Sequence, residues 1–135
     1  MNIVKINQSS NSVQTGAFDL WPTTNKLSEL RRFLRTIEPE DIVLFSTYDD
    51  ASVHLDQSSR RMISVLGSRT INNIAFRDSW VFVGGRLEYG FSWPNELRVE
   101  SSHAENRFGG WPAAANISGC IPKRQPADFL IKDEE

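Results

Sequence analysis

The residues of this chain best suited to chemistry are acids and arginines rather than nucleophiles. Asp49 and Asp50 adjoin in "TYDDASVHL", and Arg77 and Asp78 adjoin in "AFRDSWVFVGG", at the mouth of an aromatic strand that stops at Gly84 and Gly85. A carboxylate accepts hydrogen bonds and a guanidinium donates them in a fixed fork, so these pairs suit recognition of a polar ligand as well as a salt-bridged turn. Two carboxylates also serve glycoside hydrolysis, but adjacent acids in a loop more often cap a helix or pair with arginine.

Other chemistries lack their parts. Nucleophilic catalysis needs Ser or Cys with a base and an orienting group, whereas the chain has two histidines, His54 and His103, and no Gly-x-Ser-x-Gly elbow. Those histidines and Cys120 have no zinc-ligand spacing, so no metal is expected. Asp49, Asp50 and Asp56 do not make a calcium loop, because the central Gly and terminal Glu of the twelve-residue pattern are missing. Gly84-Gly85 and Gly109-Gly110 precede no helix and lack phosphate-cradling spacing, which leaves them as turns. The triplets Asn7-Gln8-Ser9 and Asn116-Ile117-Ser118 match the N-glycosylation pattern, which arises often by chance.

Composition bounds the rest. At 135 residues and 39% hydrophobic content the chain suits one domain with a core that needs no disulfide or metal staple. A net charge of -2 gives no electrostatic footprint for nucleic acid. No apolar run approaches the roughly 20 residues that span a bilayer, and "MNIVKINQSS" lacks the apolar centre of a secretory signal. With Cys120 the sole cysteine, no intrachain disulfide can form.

The elements that must position the acids and arginines follow from periodicity. Residues 3–6 and 13–18 predict an opening hairpin around an Asn/Ser-rich turn. Leu27, Leu30, Leu34 and Ile37 then make one helical stripe, with Thr24 or Asn25 as its cap and Arg31, Arg32 and Arg35 on the other face. The unbroken run 42–45 reads as a central strand buried on both faces. A second helix is expected from Asp56 as cap to Gly67 as stop, with Met62, Ile63 and Leu66 toward the core. Trp80, Phe82 and Phe76 are placed on one face of the next strand and Val81 and Val83 on the other. Residues 91–99 are left as an irregular insertion or a short strand, and 113–121 are expected to close the sheet.

In order, "FDLW", "TYDDASVHL", "RRMISVLGS", "FRDSWVFVGG", "GWP" and "GCIP" fall in the sequence and spacing of the ILEI/PANDER domain, also called the GG domain, which residues 2–123 resemble. Domains of that type occur in secreted cytokine-like proteins, in the stem of the protein O-mannose N-acetylglucosaminyltransferase, in a cell-surface hyaluronan-associated protein and in phage tail-fibre connectors. The resemblance implies an α+β fold of curved antiparallel β-sheets flanked by two or three helices, as a single compact domain over 1–123 with a tail over 124–135. It implies no cofactor and no catalytic activity.

It also implies a site. In the glycosyltransferase stem the domain is similar to a lectin that holds an N-acetylglucosamine-type sugar through an acid after the central strand and the arginine of the Arg-Asp pair. Those positions fall here on Asp49 and Arg77. Tyr48 or Trp80 would supply an aromatic wall for the apolar face of the sugar, with Asp50 beside them. The competing reading is that Asp49 and Arg77 pair only with each other and that Trp80 belongs to the core. Ala51 stands where the family usually has glycine, which changes the turn because Ala tolerates positive φ poorly. Cys120, tied in cytokine-like members to a cysteine upstream of the domain, is expected to be a free thiol here. Residues 86–108 depart from the usual lysine-rich connector and are where specificity peculiar to this protein would lie.

The expected function is a non-enzymatic recognition module, in the first instance carbohydrate-binding and lectin-like, with a glycan or a protein as partner and without nucleic acid or membrane insertion. The alternatives are a structural assembly module such as a phage tail-fibre connector, or a cytokine-like secreted signalling protein. The resemblance places it outside the cell or on a virion surface.

Overall fold

Among the described residues, alternation of β-branched and aromatic residues with polar ones builds five strands, and two amphipathic helices close over one side of them. The computed structural model describes residues 1–21, 26–102, 106, 109–112 and 114–124. Strands β1 (Asn2–Asn7) and β2 (Val13–Ala17) form the expected hairpin. The Asn7 side chain shapes its turn, with Oδ1 accepting from the backbone N–H of Ser9 at 3.0 Å and of Ser10 at 2.9 Å.

Helix α1 (Leu27–Leu34) buries Leu30, Phe33 and Leu34. Its expected caps, Thr24 and Asn25, lie outside the described residues. Strand β3 (Asp41–Ser46) leads to helix α2 (Gln57–Ser64), where Asp56 Oδ1 accepts from Ser59 N–H at 2.9 Å, the cap that the sequence predicts. Gly67, at φ 111°, follows the last turn in a conformation that disfavours a side chain. Strands β4 (Ser79–Gly84) and β5 (Asn95–Val99) complete one antiparallel sheet of order β2-β1-β3-β4-β5. The α+β fold is as expected, with β3 central.

Register sets Ile3 opposite Phe45 and Phe45 opposite Phe82 on the face that joins Leu30, Leu34, Ile63 and Leu66 in the core. Phe45, Trp80 and Phe82 form its aromatic centre, with ring centroids 5.5 to 5.7 Å apart. Gly84 lets the end of α2 dock on β4. A Cβ there would collide with the Leu66 carbonyl and the Phe82 ring, and the next residue, Gly85, donates its N–H to that carbonyl at 3.0 Å.

Three expectations need correction. Residues 42–45 are not buried on both faces: Val43 and Phe45 are buried, but Leu44 is 36% exposed. The helices pack on one side of the sheet, and on the other, among the described residues, 115–117 lie near Val4, Leu44 and Val83, with Trp111, Pro112 and Ala114 near Val81. The closing strand is β5, whereas residues 114–121 form none, because Glu96 is held from several sides as described below. Phe76 precedes β4 and sits outside the core, 49% exposed.

Candidate functional site

At one end of the sheet, the loop leaving β3 meets the loop entering β4. Asp50 joins them. Its Oδ1 accepts from Ser52 N–H at 3.1 Å, Ser52 Oγ–H at 2.7 Å and Arg77 N–H at 3.0 Å, and its Oδ2 from Val53 N–H at 3.2 Å. Burial opposes ionisation of this carboxyl, but the donors from Ser52, Arg77 and Val53 outweigh it and hold the pKa below the usual value. Asp50 is therefore a clip between loops, and it also lines the larger of the two cavities beside Asp49.

Asp78 is likewise absorbed. Its Oδ2 accepts from Ala75 N–H and from Arg98 Nε–H, both at 2.8 Å, and its Oδ1 accepts from Ser101 N–H at 2.9 Å. Arg77 and Asp78, adjacent in sequence, therefore point to different partners. A second long-range clamp flanks them: Thr47 Oγ accepts from Trp80 N–H at 2.9 Å while Thr47 N–H donates to Trp80 O at 3.1 Å.

Asp49 and Arg77 are what this scaffold leaves over. Both have left-handed backbones, φ 55° and 59°, which non-glycine residues adopt at a cost of about 1–3 kcal/mol each. Held this way, they face each other with Arg77 Nε 3.6 Å from Asp49 Oδ1, both side chains partly exposed. That separation makes an ion pair but no hydrogen bond, and Arg77 Nε, itself removed from solvent, has no acceptor. The guanidinium lies 4.2 Å from the Trp111 ring centroid and 4.7 Å from that of Phe76. Two aromatic faces hold the cation in place while its donor edge stays incompletely satisfied.

An open cavity of about 350 Å³ adjoins this pair, lined by Tyr48, Asp49, Arg77, Trp111 and Pro112 among others. A second, of about 520 Å³, lies across Tyr48 and Asp49 and reaches Asp19 and Trp21. Tyr48, 83% exposed, stands between the two with its ring in solvent. Trp80 is among the residues that line the smaller cavity, but it is also part of the core. It is 1% exposed, stacked on Phe82 at 5.6 Å, with Nε1 donating to Glu96 Oε2 at 3.0 Å.

The structure thus brings Tyr48, Asp49 and Arg77 together at the cavities, while Asp50, which lines one of them, also joins two loops, and Trp80, which lines the other, is buried in the core. The aromatic that sequence reasoning missed is Trp111 of the "GWP" motif. No periodicity links it to Arg77, which is 34 positions earlier by numbering, so only the tertiary fold shows the contact. No group of three or more His, Cys, Asp or Glu among the described residues is arranged to hold a metal ion. No helix among them is long and apolar enough to cross a membrane. Cys120 is exposed.

Comparison with known proteins bears on the whole chain. The sequence profile described as interleukin-like EMT inducer matches residues 1–86. Protein FAM3A of Homo sapiens is 37% identical over 128 residues, which are 94% of this chain and 54% of the relative. Protein FAM3C of Homo sapiens is 36% identical over 126 residues, 93% of this chain and 54% of the relative. Protein FAM3B of Homo sapiens is 35% identical over 130 residues, with the same shares. The chain spans about half the length of the curated relatives that it matches.

Proposed function

This chain belongs to the interleukin-like EMT inducer family, and on that premise we propose that it is a cytokine-like recognition domain that works outside the cell by binding a protein partner, without catalysis. The recognition unit is residues 1–123, and its contact surface is the ridge of Tyr48, Asp49 and Arg77 with Trp111. The family is described as interleukin-like and as an inducer, which supports a signalling reading.

The observation that carries the contact surface is the state of Arg77. A partly exposed guanidinium held against two aromatic rings, ion-paired with Asp49 but without a full hydrogen bond to it, is prepared to receive a carboxylate or hydroxyl from outside. Its positive φ keeps the side chain aimed at Asp49 and the cavity. An exposed tyrosine next to it supplies the large amphipathic area found at protein contacts.

A glycan reading has its own support, since carboxylate, guanidinium and an aromatic edge around a shallow cavity are also what sugar hydroxyls need. One experiment separates the two. Fluorescently labelled domain is applied to cultured human cells pretreated with protease or with glycosidases, beside Arg77→Ala protein shown to be folded. Binding removed by protease and by Arg77→Ala supports the protein reading. Binding removed by glycosidases alone supports the glycan, and binding retained by Arg77→Ala moves the contact elsewhere.

A further inference from the structure

The triplets Asn7-Gln8-Ser9 and Asn116-Ile117-Ser118 share the N-glycosylation pattern, but the fold treats them in opposite ways. A glycan replaces one hydrogen of the Asn amide nitrogen with a bulky sugar, so an acceptor needs that nitrogen unclaimed and turned to solvent, with the hydroxyl two residues on presented beside it.

Asn7 lacks these features. Its Nδ2 donates to Glu40 Oε2 and to Asp41 Oδ1, each at 3.3 Å. Its backbone ends β1 in register with Asp41 of β3, its N–H donates to Ser12 O at 2.9 Å, and its carbonyl accepts from Asn11 N–H at 2.8 Å. The triplet is bent into the hairpin turn by the bonds from Ser9 N–H and Ser10 N–H to Asn7 Oδ1. A sugar on Nδ2 would remove one of its two N–H groups and crowd Glu40 and Asp41.

The second triplet lies outside any described helix or strand, and burial alternates along it. Ala115 and Ile117 are half-buried, whereas Asn116 and Ser118 are exposed. That period of two is the mark of an extended chain, in which residues i and i+2 share a side. Residues 115–117 border an apolar cavity of about 310 Å³ with Val4, Leu44 and Val83, on the side of the sheet that the helices leave open. With Ile117 settled against the sheet, Asn116 and Ser118 are presented to solvent together. Neither has a hydrogen bond with any described residue.

We propose that Asn116 is an acceptor for an N-linked glycan and that Asn7 is not. The inference rests on the extracellular reading above, because this modification belongs to proteins that enter the secretory pathway. The co-reactant is an oligosaccharide carried on a lipid pyrophosphate. Asn116 Nδ2 forms a bond to the anomeric carbon of the first sugar as the bond from that carbon to the pyrophosphate oxygen breaks. The lipid pyrophosphate leaves with the bonding electrons, and one Nδ2 proton is released. The attached sugar stands on the open side of the sheet, beside the partly exposed Leu44.

To test this, the full chain preceded by a secretory leader is expressed in cultured human cells. Protein from medium and lysate is digested with peptide N-glycosidase in 18O-water, which converts a glycosylated asparagine to 18O-labelled aspartate, and its peptides are read by mass spectrometry. The expected result is the label at position 116 and unmodified asparagine at position 7. On gels, Asn116→Gln and Ser118→Ala should each abolish the shift that the glycosidase produces, and Asn7→Gln should leave it. An unmodified Asn116 overturns the proposal. So does a label at Asn7, because acceptance is then not governed by the bonds that hold its side chain. As the leader is supplied, an unmodified Asn116 leaves the extracellular reading intact; that reading fails instead if the natural protein is found only in the cytosol.

Discussion

Two polar clusters in this molecule use the same chemistry to opposite ends. Glu96 on β5 accepts from Trp80 Nε1–H at 3.0 Å, Ser68 Oγ–H and Thr70 Oγ–H at 2.8 Å each, Thr70 N–H at 3.1 Å and Arg69 N–H. One carboxylate thereby fastens β5, β4 and the turn after α2, and every donor aimed at it belongs to the fold. Asp49 and Arg77 meet at 3.6 Å on strained backbones with a donor left over. A half-buried charge whose acceptor sites are filled organises structure, while a partly exposed pair left incomplete has interaction capacity for something outside. Asp50 and Asp78, close in sequence to the second cluster, belong in kind to the first.

The comparison breaks most readily at Glu96. Glu96→Ala leaves at least two buried donors without an acceptor and should lower stability by about 3 kcal/mol, roughly a 10 °C fall in Tm for a chain of this size. Thermal melts followed by circular dichroism check this, and a fall of only a degree or two would reduce Glu96 to a surface acid.

Acid provides a graded version. Burial opposes ionisation of Glu96, yet the donors from Trp80, Ser68, Thr70 and Arg69 pull its pKa below the ordinary value, and the pKa of Asp50 moves the same way. A group whose folded pKa is depressed contributes fully while both states are ionised, and its contribution disappears as the unfolded and then the folded form take up protons. Stability should therefore hold down to about pH 4.5 and fall below it, with the fall shallower in Glu96→Gln than in the parent protein. A parallel fall in both proteins would show that Glu96 is not one of the groups responsible.

The smallest effect belongs to the pair of Asp49 and Arg77. Asp49→Asn keeps a residue that tolerates positive φ and removes the charge facing Arg77, so stability should change by no more than about 0.5 kcal/mol. Urea unfolding measures it. A loss of 2 kcal/mol or more would make the pair structural, like Glu96, and erase the distinction between the two regions.

Much of the frame was legible in the residues themselves. An unbroken apolar run located β3, strand-like segments around an Asn/Ser-rich turn located β1 and β2, alternation located β4, and a 3.6-residue stripe located α1. Asp56 and Gly67 marked where α2 starts and stops, because those residue types satisfy or tolerate what a helix end requires. The ordered motifs from "FDLW" to "GCIP" also indicated the family that the relatives show. The fifth strand was harder: "NELRV" has only five residues, two of them charged, and its place depends on five donors supplied by other segments.

The candidate site divides along the same line. Tyr48, Asp49 and Arg77 stand out by sequence because loops flanking a central strand expose polar residues where ligands can reach them. How four neighbouring charges are engaged depended on contacts 20 and 27 residues away as well as on local ones: the Arg77 N–H, added to the nearby Ser52 donors, binds Asp50, and Arg98 binds Asp78. Trp111 against Arg77, and Trp80 turned into the core, are of the same kind. Local residue order determined the elements and the donors and acceptors on offer, because propensity and periodicity act over a few residues. Only the tertiary structure decided which of those groups satisfy one another, because hydrogen bonding and burial depend on distance in space, and the fold sets that distance.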